Sequence, residues 1–415
     1  MISFEKHTLP NGLKVIVHQD KVTPFAAVNV AYNVGSKHET PDRTGFAHLF
    51  EHLTFGGSRH VPDFDTPVQQ AGGSNNAFTT VDLTNYYITL PAQNIETAMW
   101  IESDRILEPA FTNEILSREK KVVIEEFNQR YLNQPYGDVW HLIRDLAYKV
   151  HPYRWPTIGS TPDHVAQATL DEVKQFFYNH YAPNNAVLVL SGNLVPDKAF
   201  RLAEKWFSEI PFRELMNPPR EPEPVQTENR EITVERDVPM DAFYIGWHMG
   251  ARDADDFFAA DLLSDILSNG KSSRFQQRLV KEKKLFNELD AFLSGENDPG
   301  LFTVVGRVNP GIGFEKAKKA VLDEIQKTVQ EKPLDYELEK VKNKVEAHLL
   351  YHEVGYLDNA IQLANYELLG GAAQINEQVE HYRKVTPDDI LRVAGKIFRE
   401  GNMNTLNYLS KKDGK

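Results

Sequence analysis

The sequence predicts an α+β protein made of two homologous domains, each an antiparallel β-sheet with helices packed on one face. Three observations carry this expectation. At about 100–200 residues per domain, the 415 residues suit two to four domains. The two sides of the chain repeat one order of elements, the sign of a duplicated unit. A Pro- and Glu-rich stretch, Met216 to Glu228, lies near the midpoint and reads as an extended linker. The expected division is an N-terminal domain over 1–215, a linker over 216–228 and a C-terminal domain over 229–415.

The elements repeat as follows. Alternating strands over Leu13–His18 and Ala26–Val34 lead into a helix near Gly45–Phe55, which stops at Gly56-Gly57-Ser58. In the second half, strands over Ile232–Arg236 and Ala242–His248 lead into a helix near Asp255–Leu267, which stops at Asn269-Gly270. Near each domain's end, Thr169-Leu170-Asp171-Glu172 and Thr386-Pro387-Asp388-Asp389 open a helix with Thr and an acid three residues later, a capping-box pattern. Strands over Ala186–Leu190 and Thr405–Leu409 follow. Pro10-Asn11-Gly12 marks a hairpin turn.

Composition excludes several function classes. There are 46 Lys+Arg against 59 Asp+Glu, a formal net charge of −13, so no basic stripe for nucleic acid is expected. Cys is absent, which removes disulfides, Cys-bound zinc, iron–sulfur clusters and thiol catalysis. Any metal must sit on His and carboxylates. No apolar run approaches the roughly 18 residues of a membrane span. The N-terminal segment lacks a basic region followed by an apolar stretch, so no signal peptide and a cytoplasmic location are expected.

The chemistry concentrates in Gly45 to Leu53. His48 and His52 are i and i+4 on the predicted helix, so both reach one ion. Glu51 lies at i+3 from His48, close enough to contact water at that ion. This is His-x-x-Glu-His, the inverzincin order. Alone, five residues also fit a polar helix surface. Downstream, Ser117 to Arg130 reads as a helix on which Glu119, Val122, Val123 and Glu126 share a face. Two carboxylates beside two valines that want burial need a partner, and a cation from the first helix is one. Glu126 is therefore the candidate third ligand and Glu119 a candidate acid that orients a histidine or the water. Glu125 lies about 100° round the helix and reads as solvent-facing.

These motifs, with Gly72 to Thr80 (GGSNNAFTT) and Thr84-Asn85-Tyr86-Tyr87, resemble the pitrilysin/insulinase family of zinc peptidases, in its mitochondrial-processing-peptidase-like branch. The resemblance spans essentially the whole chain. It implies a zinc endopeptidase with one Zn²⁺ per chain on His48, His52 and Glu126, and Glu51 as general base. It also implies that Asn75 to Thr80, read from sequence as a turn before the strand Leu83–Leu90, is an edge strand to which substrate backbone adds. There Asn76, Ala77 and Phe78 would lie beside the scissile bond.

The second half departs from the family. Asp261, Ser264 and Asp265 stand opposite His48, Glu51 and His52. An Arg/Tyr pair that complete members use to stabilise the transition state is replaced by Val280 and Asn287, after Gly270-Lys271-Ser272-Ser273-Arg274. The branch works as two-chain clamshells around a chamber. The departure thus favours a heterodimer over a homodimer, with a homologous partner supplying the pair. Such an enzyme would take peptides or unfolded polypeptides. The competing readings are a non-catalytic assembly subunit and a zinc hydrolase of a non-peptide substrate. His60, His141, His151, His180 and His248 lack a companion at ligand spacing and read as structural, and Leu368 to Ala373 (LLGGAA) reads as a mobile loop or as a helix stop.

Overall fold

The structure, a computed structural model, describes residues 1–215 and 220–411. Among the described residues, eleven strands run in chain order as β1 (Glu5–Thr8), β2 (Lys14–Gln19), β3 (Phe25–Tyr32), β4 (Ser74–Thr79), β5 (Thr84–Pro91), β6 (Ala186–Gly192), β7 (Arg230–Arg236), β8 (Ala242–His248), β9 (Phe286–Leu293), β10 (Leu301–Val308) and β11 (Met403–Ser410). Five of the helices matter below: α1 (Phe46–Thr54), α2 (Asn113–Phe127), α3 (Val139–Ala147), α4 (Phe257–Ser268) and α5 (Tyr356–Leu369). Among the described residues, no helix is long and apolar enough to cross a membrane.

The strands form two sheets, in the orders β1-β2-β6-β3-β5-β4 and β7-β11-β8-β10-β9. Removing β1 leaves one order repeated strand for strand, so the duplication holds at the level of topology. The sheets are mixed rather than wholly antiparallel: β2 runs parallel to β6, and β7 parallel to β11. Both parallel pairs join the first strand of a copy to its last, and a connection that long is what parallel pairing requires.

Two compact units form, and neither is a contiguous half of the chain. One comprises Met1–Asn128, Trp155–Arg220 and Leu349–Glu377; the other comprises Gln129–Arg154, Glu221–His348 and Gln378–Lys415. Each copy gives one helix to the other's sheet. In the first unit, Ala360, Leu363 and Ala364 of α5 pack on Ile16, Ala27, Ala31, Val187 and Val189. Alanines on both sides let helix and sheet approach closely. In the second unit, Val139, Ile143 and Leu146 of α3 pack on Ala242, Tyr244, Val305, Leu406 and Tyr408. The alternate residues of the first sheet, among them Val15, Val28, Val30, Leu188 and Leu190, are buried as well. Both of its faces are covered, where the sequence reading puts helices on one.

The predicted linker falls partly outside the described residues, at 216–219. From Arg220 onward it has no helix or strand, but it is tied down. Glu223 accepts the backbone N–H groups of Lys149, Val150 and His151 at 2.8–2.9 Å, and buried Gln226 bonds Met403 and Asn404. Both predicted capping boxes form, at Thr169/Glu172 and Thr386/Asp389. The Gly370-Gly371 pair ends α5, with both N–H groups on the Tyr366 carbonyl.

Candidate metal centre

α1 forms where an apolar stripe meets a polar one. Phe46, Ala47, Leu49, Phe50 and Leu53 are buried, while His48, Glu51 and His52 lie half-buried on the remaining face. The helix starts at Gly45, whose φ of 85° is left-handed; a side chain there would also meet the Ile158 carbonyl at 2.7 Å. Its first N–H groups have no partners within the helix. Glu39 supplies them: its carboxylate accepts from Gly45 at 2.9 Å and from Ala47 at 2.8 Å. Burial pushes the Glu39 carboxyl up to about 8, against the pull of these N–H groups.

α2 is capped by Thr112, whose side chain accepts from the Ile115 N–H. It starts four residues before the predicted start, and carries Glu119 and Glu126 toward α1. The expected face is only partly buried: Val123 is in the core, but Val122 is 45% exposed. It sits at the rim of the stripe, beside the carboxylates. Glu125 is exposed, as its position round the helix requires.

The structure brings His48, His52 and Glu126 together, with one ligating atom of each within 4.8 Å of the others. Glu126 Oε2 lies 3.7 Å from His48 Nε2 and 3.5 Å from His52 Nε2. Three such atoms on one tetrahedral zinc, at about 2.0–2.2 Å from it, would be roughly 3.3–3.5 Å apart. Two imidazoles and a carboxylate so placed fit that ion with small adjustments. Among the described residues this is the sole grouping of its kind.

His52 Nδ1 lies 3.7 Å from Glu119 Oε2, so the ring is held between two carboxylates. Arg118 Nε donates to the other Glu119 oxygen at 2.7 Å. Burial disfavours charge on His52, but Glu119, Glu126 and Glu51 outweigh it and push its pKa up to about 9. The site asks for a cation. Burial raises the Glu51 carboxyl as well, opposed by the Thr79 hydroxyl, which donates to Glu51 Oε2 at 2.5 Å.

Thr79 ends β4, and β4 with β5 forms a hairpin in which Asn76, Ala77 and Phe78 face Tyr87, Tyr86 and Asn85. The predicted turn at Asn75–Thr80 is therefore strand up to Thr79, because Ser74 to Thr79 pairs in register with Thr84 to Thr89. β4 stands last in its sheet, its outer edge without a strand partner among the described residues. Asn76 Oδ1 accepts from the Ala77 N–H at 2.9 Å. Glu39 lies in no motif, and Thr79, though within the GGSNNAFTT segment, has nothing in the sequence that ties it to Glu51.

In the second unit, Asp261, Ser264 and Asp265 occupy α4 and line a cavity with Asp290 of β9. Val280 lies in the helical turns Phe275–Glu282, and Asn287 is exposed on β9. Arg274 pairs with Glu337 through two hydrogen bonds, of 2.9 and 2.7 Å. Among the other histidines, His60 bonds Asp104 at 2.7 Å, His248 meets the Ala147 carbonyl, and His180 is buried.

A family model for insulinase (peptidase family M16) matches residues 14–159, and one for the peptidase M16 inactive domain matches residues 167–345. The chain belongs to the M16 peptidase family. M16 relatives are similar over nearly the full length. The zinc protease PqqE of Helicobacter pylori is 28% identical over 408 residues, covering 97% of this chain and 92% of that one. The mitochondrial-processing peptidase subunit beta of Saccharomyces cerevisiae is 25% identical over 404 residues, covering 93% and 87%. The crystal structure of a protease from Helicobacter pylori superposes with a TM-score of 0.93 at 28% identity, covering 98% of this chain and all of that one.

Proposed function

We propose that this chain is the zinc-bearing subunit of an endopeptidase that hydrolyses short or unfolded polypeptides, with one Zn²⁺ held by His48, His52 and Glu126. The observation that carries the reading is the convergence of those three side chains with Glu51 alongside. Relatives named zinc proteases support the metal and the reaction class. The ion, when bound, supplies Lewis acidity at a peptide carbonyl and lowers the pKa of adjacent water.

The chain's own residues do the rest. Glu51 accepts the proton of the attacking water and returns it to the leaving amine. Glu119 holds the far nitrogen of His52, which fixes the ring for ligation. The open edge of β4, with Asn76, Ala77 and Phe78, offers backbone groups to an extended peptide, so recognition is broad. Val280 and Asn287 leave the transition state without its Arg/Tyr pair. A homologous partner chain, closing a chamber with this one, would provide it, and the chamber would spare folded substrates. A cytoplasmic location belongs to the same proposal.

The test is Glu51→Gln. With the partner present, zinc content should match wild type while cleavage of unstructured peptides falls at least about 100-fold. Unchanged turnover would remove Glu51 from the role. The match to an inactive-domain model and the missing pair favour one second reading, a non-catalytic subunit that keeps its metal. Zinc-loaded wild-type chain that cleaves nothing with its co-purifying partner would favour that reading.

A further inference from the structure

We propose that Thr79 is the positioning residue of the general base, so that the strand receiving the peptide also sets where Glu51 points. The inference rests on the peptidase reading above and deepens it. The Thr79 hydroxyl donates to Glu51 Oε2 at 2.5 Å, which leaves Oε1 to take the proton of the attacking water.

Three features make Thr79 a fixed anchor rather than an incidental neighbour. Its side chain is branched at Cβ and stiff about χ1. Its strand partner is Thr84, which is fully buried and donates to the Val34 carbonyl at 2.8 Å. Successive side chains alternate across a strand, so Asn75, Ala77 and Thr79 share the face toward α1. The hydroxyl thus stands two residues, roughly 7 Å, along the strand from Ala77. A peptide lying along the outer edge of β4 is placed by the backbone that places this hydroxyl. Substrate carbonyl and base are then referenced to one rigid element, where a glutamate on its own would sample several rotamers.

Thr79→Val keeps the shape and removes the donor. It should lower kcat about 10- to 100-fold with KM within about twofold of wild type, because the loss is one of alignment rather than of binding. Thr79→Ser should recover most of that loss. Zinc content, measured by atomic absorption, should be the same in all three proteins. A second readout needs no turnover: in the metal-free chain, the thermal midpoints of Thr79→Val, Glu51→Ala and the double variant should be non-additive. Additive midpoints, or a Val variant with wild-type kcat, overturn the proposal. So does a loss that Ser fails to recover. Wild-type chain inactive with its partner would instead sink the peptidase reading and the positioning role with it. Non-additive midpoints in that case would leave Thr79–Glu51 as a structural pair.

Discussion

His180 carries a pH signature outside the candidate metal centre. Burial lowers its pKa from 6.5 to about 4, and nearby Arg220 acts in the same direction. Between those values the unfolded chain binds a proton that the folded chain refuses. The group therefore leaves stability untouched above pH about 6.5 and erodes it as pH falls toward 4. His38, 5.5 Å away ring to ring, is lowered further still, to about 2. Thermal midpoints measured from pH 7.5 to 4.5 should decline toward acid, and His180→Leu should make that decline shallower. An unchanged slope would show that other groups set the acid limit. At this scale, His48, Glu51, His52 and Glu126 were legible because helical periodicity alone says which side chains share a face. Thr79 was not, because its partner is 28 residues away on another element.

Among the elements, α1 bears most of the chemistry and is not self-sufficient. Nine residues make a marginal helix in water, and its N-terminal donors depend on Glu39. Glu39→Ala leaves those N–H groups buried without an acceptor, which should cost about 1–3 kcal/mol. It should also weaken zinc binding, since both histidines ride on the helix it anchors. Chemical denaturation and chelator competition would measure the two effects, and wild-type values in both would refute the capping role. The strands of β4 and β5 were half-legible. Alternation marked Leu83–Leu90, but the polar, glycine-preceded Ser74–Thr79 has strand character only through its pairing with β5.

For the whole molecule, the reciprocal exchange of helices has a direct consequence. Residues 1–215 lack α5, so Ile16, Ala27, Ala31, Val187 and Val189 would face water. A chain ending at 215 should be insoluble or molten, and adding residues 349–377 should restore a cooperative melt. A folded, monomeric 1–215 fragment would show that the exchange is dispensable.

By itself the sequence determined the class, the duplication, the family and the three side chains, His48, His52 and Glu126, that converge in the fold. Each depends on spacing within a helix or on the order of elements along the chain, and both are local. Only the tertiary structure decided which segments complete each unit, that α3 and α5 cross over, that each sheet holds a parallel pair, and that Glu39 and Thr79 bond to α1. Those contacts join residues far apart in sequence. They are selected by which apolar faces must be covered and which buried polar groups must be paired once the chain has collapsed, and no periodicity along the chain records that choice.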